Sequence, residues 1–168
     1  GADGAELAET FVRTTMPAGH HGVLVTGPQM PAEDVRRVAD IAAHRPDLTV
    51  RTYVDDAEAL IARSSAVVAM GGYNTVCEAL ALDARLLVVP RVRPRREQLV
   101  RAELLTAAGK LDHLLPDELT PTVLEAWLDS AVHGPRPTGG TAVDLDGLAR
   151  LPRLLAGLVT TKEKTDVA

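Results

Sequence analysis

Aromatic side chains are nearly missing from this sequence: they make up 2% of its 168 residues, with one Phe, one Trp and two Tyr. A core without rings must be filled by Leu, Val, Ala and Ile, the usual content of α/β proteins with apolar helices packed on Val-rich strands. Cysteine is reduced to Cys77 alone, which cannot form an internal disulfide and points to a reducing cytoplasm. No apolar run approaches the ~20 residues that span a bilayer, and the N-terminal residues show no signal-peptide pattern. Positive charge is short as well: 18 Lys and Arg face 23 Asp and Glu, a net charge of −5. That balance argues against a nucleic-acid partner.

Catalytic signatures are also lacking. There is no P-loop, no HExxH and no nucleophile elbow. His20 and His21 precede a strand without metal-ligand spacing, and His113 stands alone, so no metal is expected. Asp55-Asp56 reads more simply as a helix cap than as a chelate. Cys77, between Val76 and Glu78 in a helical pattern, reads as a buried small residue rather than a nucleophile.

What is present alternates between short apolar runs and amphipathic helical stretches, bounded by Gly, Pro and Asp. The length suits a single domain with a real core, expected over residues 1–159 with a frayed polar tail at 160–168. Asp3 and Glu6 form a capping pair ahead of a helix carrying Leu7, Phe11 and Val12. Residues 22–26 read as a strand, 31–44 as a helix, 48–54 as a strand, and a short helix capped by Asp55 or Asp56 runs to Arg63. After the central unit come a helix over 95–108, an extended piece at 111–115, a helix over 121–132 capped by Thr120, a turn-rich loop at 133–144, and a last helix over 145–159. Strict alternation predicts an α/β fold, a Rossmann-like doubly wound parallel sheet, in which ligands bind off the carboxyl ends of the strands. The chain opens on a glycine turn and a helix with no strand before them, so the first strand is expected upstream.

The central unit carries the chemistry. Residues 66–98 read AVVAMGGYNTVCEALALDARLLVVPRVRPRREQ: a strand, Gly71-Gly72, a helix opening near Asn74-Thr75, and a second strand ending in Pro90. Glycines there permit positive φ and close approach of a ligand to the backbone. The helix amides of Tyr73 to Val76 would face whatever lies above the turn, a natural anion site. Glu78 could accept two ribose hydroxyls, or simply complement the helix dipole. Asn74 and Thr75 read as N-caps that could also meet a diphosphate. Arg91, Arg93, Arg95, Arg96 and Arg101 form the basic cluster of an acidic chain; they contact phosphate or sugar, or balance local acids. Glu97 and Gln98 either hydrogen-bond sugar hydroxyls or occupy a helix first turn.

Through Gly71-Gly72, Thr75, Glu78, Val88-Val89-Pro90 and Glu97-Gln98, this stretch resembles the donor-binding motif of GT-B glycosyltransferases, in particular the MurG-like family 28 group and its actinobacterial-type members. The opening GADG resembles the end of the glycine loop after the first strand of their C-terminal half. The resemblance implies that half's fold, lacking its first strand, and an inverting transfer of a hexose, N-acetylglucosamine among the candidates, from a UDP-linked donor to an acceptor hydroxyl. It implies that Glu78 holds the ribose, that Gly71, Gly72, Tyr73, Asn74 and Thr75 together with Gly4 face the diphosphate, and that Val54 meets the base. Arg91, Glu97 and Gln98 would lie near the phosphate and sugar. Such enzymes need neither metal nor another cofactor, and their base comes from an N-terminal acceptor-binding domain or a partner chain. No catalytic residue is therefore assigned, and the chain alone is expected to be inactive and cytoplasmic. Two departures stand out: the polar pair is Glu97-Gln98 rather than Gln-Gln, and the loop before it is rich in arginine. A nucleotide-sugar 2-epimerase shares the architecture but would require acid/base carboxylates. A non-catalytic nucleotide-binding subunit of a two-chain transferase is the reading from another class.

Overall fold

The strands over 22–25, 67–69 and 86–88 are short apolar runs, and the first is stopped by residues that cannot continue the ladder. In the computed structural model, which describes residues 4–134, β1 (Gly22–Val25) pairs in parallel with β2 (Leu48–Arg51), Gly22 opposite Leu48. Gly27 follows β1 at φ 74° and Pro28 lacks an N–H, so β1 ends there. β2 loses its partner at the same level, which is why the expected strand over 48–54 stops at Arg51 and leaves Tyr53 66% exposed. The second sheet runs β3 (Val67–Ala69), β4 (Leu86–Val88), β5 (Asp112–His113), all parallel.

Helices α2 (Ala32–Ala42), α3 (Ala57–Arg63), α4 (Tyr73–Ala81) and α5 (Glu97–Ala107) link consecutive strands, α1 (Ala5–Arg13) precedes β1, and a 3₁₀ turn at Pro116–Glu118 and α6 (Pro121–His133) follow β5. Asp56 settles the cap of α3 by accepting from the Ala59 N–H at 2.7 Å. Thr120 caps α6 in the same way through Val123, with Pro121 at the first helical position. The cap of α1 differs from expectation: Gly4 occupies it without a side-chain bond, and Asp3 lies outside the described residues. The last helix and the tail expected after residue 134 lie outside them too.

β4 shows why the sheet is doubly wound. Leu86 and Val88 pack with Ile61, Val76, Ala79 and Ala102 on one face, while Leu87 and Val89 pack with Leu119, Leu124 and Leu128 on the other. A strand covered by helices on both sides must be apolar at every position, hence the unbroken LLVV run. Leu87 and Val88 are each 1% exposed, and burying one such side chain contributes roughly 1.5–3 kcal/mol. A third cluster joins Ala8, Val12, Val38 and Leu48, and Phe11 of α1 and Met16 just after it pack against both the second and third clusters. Thus α1 spans the two sheets. Arg45 ties the end of α1 to the first sheet by donating to the carbonyls of Val12 and Thr14 and to Asp47.

Among the described residues, β1 and β3 are each paired along one edge only. Gly22 and Thr26 donate to β2 and its flanks, and Val67 donates to Arg85 beside β4. The alternating geometry of a parallel strand therefore turns the backbone of Val23, Val25 and Val68 to the other edge. Gly4 lies at the carboxyl ends of both sheets, its Cβ position 3.1 Å from Met70 Sδ and 3.8 Å from Met30 Cε.

Candidate functional site

The turn after β3 is held by sterics. Gly71 has φ 81°, and a Cβ on it would sit 2.6 Å from Val88 Cγ1; only glycine satisfies both conditions. Gly72 is the N-cap of α4 at φ −56°, ψ 144°, and a Cβ there would meet nothing within 4 Å. The space in front of Gly72 is open. Val76 makes the first helical bond, donating to the Gly72 carbonyl at 3.0 Å, and no side chain caps the helix.

This corrects two expectations. The Val76 amide is satisfied within the helix, so the free donors are those of Tyr73, Asn74 and Thr75. Asn74 and Thr75 are not caps either: because α4 begins at Tyr73, they fall on its second and third positions, with Asn74 exposed and Thr75 half-buried. Uncapped amides at a helix N-terminus favour an anion.

Glu78 is half-buried on α4; its carbonyl accepts from the Leu82 N–H, and its carboxylate makes no hydrogen bond or ion pair with any described residue. Val76 and Ala79 beside it are buried in the sheet-facing core. Cys77 is half-buried rather than fully enclosed, since it lies on the flank of the helix instead of on its core stripe.

On the next helix the roles separate. Gln98 Oε1 accepts from the Arg91 N–H at 3.0 Å, so its carbonyl oxygen holds the loop after β4. Glu97 is exposed at the first position of α5. The helix starts there rather than at Arg95 because Val100 N–H bonds the Arg96 carbonyl, making Arg96 the cap. Beyond the ends of β4 and β5, Arg93 and Arg96 join Val92, Leu99, Pro116 and Asp117 around a cavity of about 650 Å³. Arg91 is half-buried.

One residue of the basic cluster stands closer to the turn than the sequence suggested. Arg101 Nη1 donates to the Gly71 carbonyl at 3.0 Å, and its guanidinium lies 5.4 Å from the Tyr73 ring centroid. No spacing in the sequence signals this contact, which spans thirty positions.

The structure therefore gathers Gly71, Gly72, Tyr73, Asn74, Thr75 and Glu78 on one turn and helix, and ties Arg91 to Gln98. Gly4 reaches the same end of the sheets through Met70. Val54 follows β2 in the other sheet and makes no hydrogen bond to this group. No described group of three His, Cys, Asp or Glu side chains could hold a metal, and no described helix is long and apolar enough to cross a membrane. Hydrogen bonds from Arg13 and then Arg37 hold the Glu9 carboxyl below its usual range, and Arg45 does the same for Asp47.

Residues 6–137 match the glycosyltransferase family 28 C-terminal domain. No curated protein matches the sequence significantly. Among solved structures, the glycotransferase of kitacinnamycin aligns with a TM-score of 0.59 and 21% identity, over 77% of this chain and 30% of its own. Glycosyltransferase VinC in complex with DTDP aligns with a TM-score of 0.56 and 21% identity, over 75% and 36% respectively. MurG of Acinetobacter baumannii aligns with a TM-score of 0.58 and 18% identity, over 84% and 43%. The chain thus spans well under half the length of each, and at these identities the likeness is one of fold: the Rossmann-like half of a GT-B enzyme.

Proposed function

The chain belongs to the glycosyltransferase family 28 C-terminal domain family, and from that premise we propose that it is the donor-binding half of an inverting glycosyltransferase using a nucleoside diphosphate sugar. The donor is a UDP-linked hexose, with N-acetylglucosamine among the candidates. An acceptor hydroxyl attacks the anomeric carbon, the bond to the diphosphate oxygen breaks with inversion, and the nucleoside diphosphate leaves. The observation that carries this reading is the Gly71–Gly72 turn running into an uncapped α4, with the carboxylate of the half-buried Glu78 lacking any described protein partner.

In this reading the amides of Gly72 through Thr75 face the diphosphate, where the N-terminal helix dipole offsets the charge that grows as the bond breaks. Glu78 accepts the ribose hydroxyls, and Val54 backbone meets the base. Glu97 and the amide nitrogen of Gln98 face the sugar, and Arg91 the phosphate side. A neighbour of the same fold in complex with DTDP is consistent with a nucleoside diphosphate here. The acceptor site and the base that deprotonates its hydroxyl come from an N-terminal domain or a partner chain, acting in the cytoplasm. No metal enters the proposal, because helix amides and arginines can supply the positive field.

The test is calorimetric titration of the chain with UDP, dTDP and GDP, with Glu78→Ala as the control. One nucleotide is expected to bind selectively, and Glu78→Ala to weaken it by about 1–3 kcal/mol through lost charge-assisted hydrogen bonds. Unchanged affinity in a folded variant would remove the ribose assignment. No binding of any of the three would remove the donor-site reading for this chain.

A further inference from the structure

The donor-site reading leaves one feature of the turn without a role. Gly71 and Gly72 are adjacent, so the peptide between them carries no Cβ on either side. Such a unit rotates as a whole at little steric cost. Its carbonyl belongs to Gly71 and its N–H to Gly72, and in a trans peptide the two point in opposite directions. Whatever holds the carbonyl therefore decides where the Gly72 amide points.

Arg101 holds it. Its Nη1 donates to the Gly71 carbonyl at 3.0 Å, from α5, thirty positions further along the chain. The same guanidinium lies over the Tyr73 ring at 5.4 Å from its centroid, a cation–π distance. Tyr73 is the first residue of α4 and is 67% exposed, and the guanidinium is a charged group over its ring. Arg101 itself is half-buried. Its head meets the Gly71 carbonyl and the Tyr73 ring.

We propose that Arg101 is a positioning residue for the donor diphosphate: by fixing the Gly71 carbonyl and the Tyr73 ring, it aims the Gly72 amide into the open space before α4. The proposal rests on the donor-site reading above and adds to it the group that sets the turn. The ligand meets the Gly72 amide at the edge of the peptide unit opposite the one the guanidinium holds. A planar fork is required, since it must donate in-plane to a carbonyl while presenting its face to a ring; an ammonium has no such face.

The experiment compares the full chain with Arg101→Met and Arg101→Lys. The nucleoside diphosphate that binds the wild type is titrated by calorimetry, its nucleoside by NMR, and the Gly72 amide is followed by ¹⁵N NMR without ligand. Thermal melts check that both variants are folded. The expected result is a loss of about tenfold in diphosphate affinity for both variants, unchanged nucleoside affinity, and a shifted or broadened Gly72 amide. Wild-type affinity in Arg101→Lys would show that charge alone matters and overturn the proposal. Equal losses for diphosphate and nucleoside would overturn it too, because the site as a whole would have loosened. An undisturbed Gly72 amide in both variants does the same. A wild type that binds no nucleoside diphosphate defeats the donor-site reading and this proposal together, whereas wild-type binding with an unaffected Arg101→Met defeats this one alone.

Discussion

Replacing Gly71 by Ala tests whether the turn is held by sterics, and its cost can be worked from two separate terms. The native φ of 81° places a non-glycine residue in the left-handed region, at roughly 1–2 kcal/mol. The new methyl would also sit 2.6 Å from Val88 Cγ1, and Val88 is 1% exposed inside β4 between two helical layers. It has no free volume to retreat into, so overpacking adds about 1–3 kcal/mol. Reduced entropy of the unfolded chain returns about 0.4–1 kcal/mol. The net expectation is a destabilisation of about 3 kcal/mol, read from urea unfolding followed through the single tryptophan, Trp127, which is tied to Asp112 by a 2.8 Å hydrogen bond. Gly72→Ala is the internal control: its φ of −56° suits alanine, and nothing lies within 4 Å of the added Cβ. It should stay within about 1 kcal/mol of wild type. In a Val88→Ala background the Gly71→Ala penalty should shrink by about 1–3 kcal/mol as the clash disappears. Equal effects of the two glycine substitutions, or no coupling with Val88, would refute the steric account of the turn.

Two further predictions concern the α1 side of the molecule. Arg45→Met should cost about 1–3 kcal/mol in the same urea assay, because Arg45 bonds the Thr14 carbonyl at 3.2 Å and the Val12 carbonyl at 3.3 Å while Thr14 is fully buried. A loss under about 0.5 kcal/mol would show that water replaces it. Glu9 and Asp47 have folded pKa values below their ordinary 4.5 and 3.8, so the stability they contribute is complete above those values and is lost as pH falls through the depressed ones. Stability should therefore hold flat from neutral pH to about 5 and fall below it, and a Glu9→Gln/Asp47→Asn variant should show a shallower acid decline. An unchanged acid limb would mean that other carboxylates govern it.

Much of this arrangement was legible in the chain. LLVV at 86–89 reads as a doubly covered strand because only a strand apolar at every position can be buried on both faces. Thr120-Pro121 and Asp56 announce helix starts because capping is settled within four residues. The glycine pair after an apolar run announces a tight turn, and Gly71 adopts the positive φ that such a turn needs. Boundaries were less legible: β2 ends at Arg51 because β1 runs out beside it, and a strand's length depends on a partner that local pattern does not contain. The start of α4 at Tyr73 shifted Asn74 and Thr75 from caps into the first turn, since a glycine with φ −56° serves as the cap when no side chain is needed there.

The sequence by itself determined the class of fold, the order of its elements and the place of the turn before Glu78, because these follow from periodicity, glycine freedom and capping within a few residues. Only the tertiary structure decided that Gln98 holds the Arg91 amide and that Arg101 reaches back to Gly71 and Tyr73. It also decided that Val88 forbids a side chain at Gly71. Most of these are contacts between elements far apart in sequence, fixed by how α5 and β4 pack against the turn, and no local spacing encodes that distance.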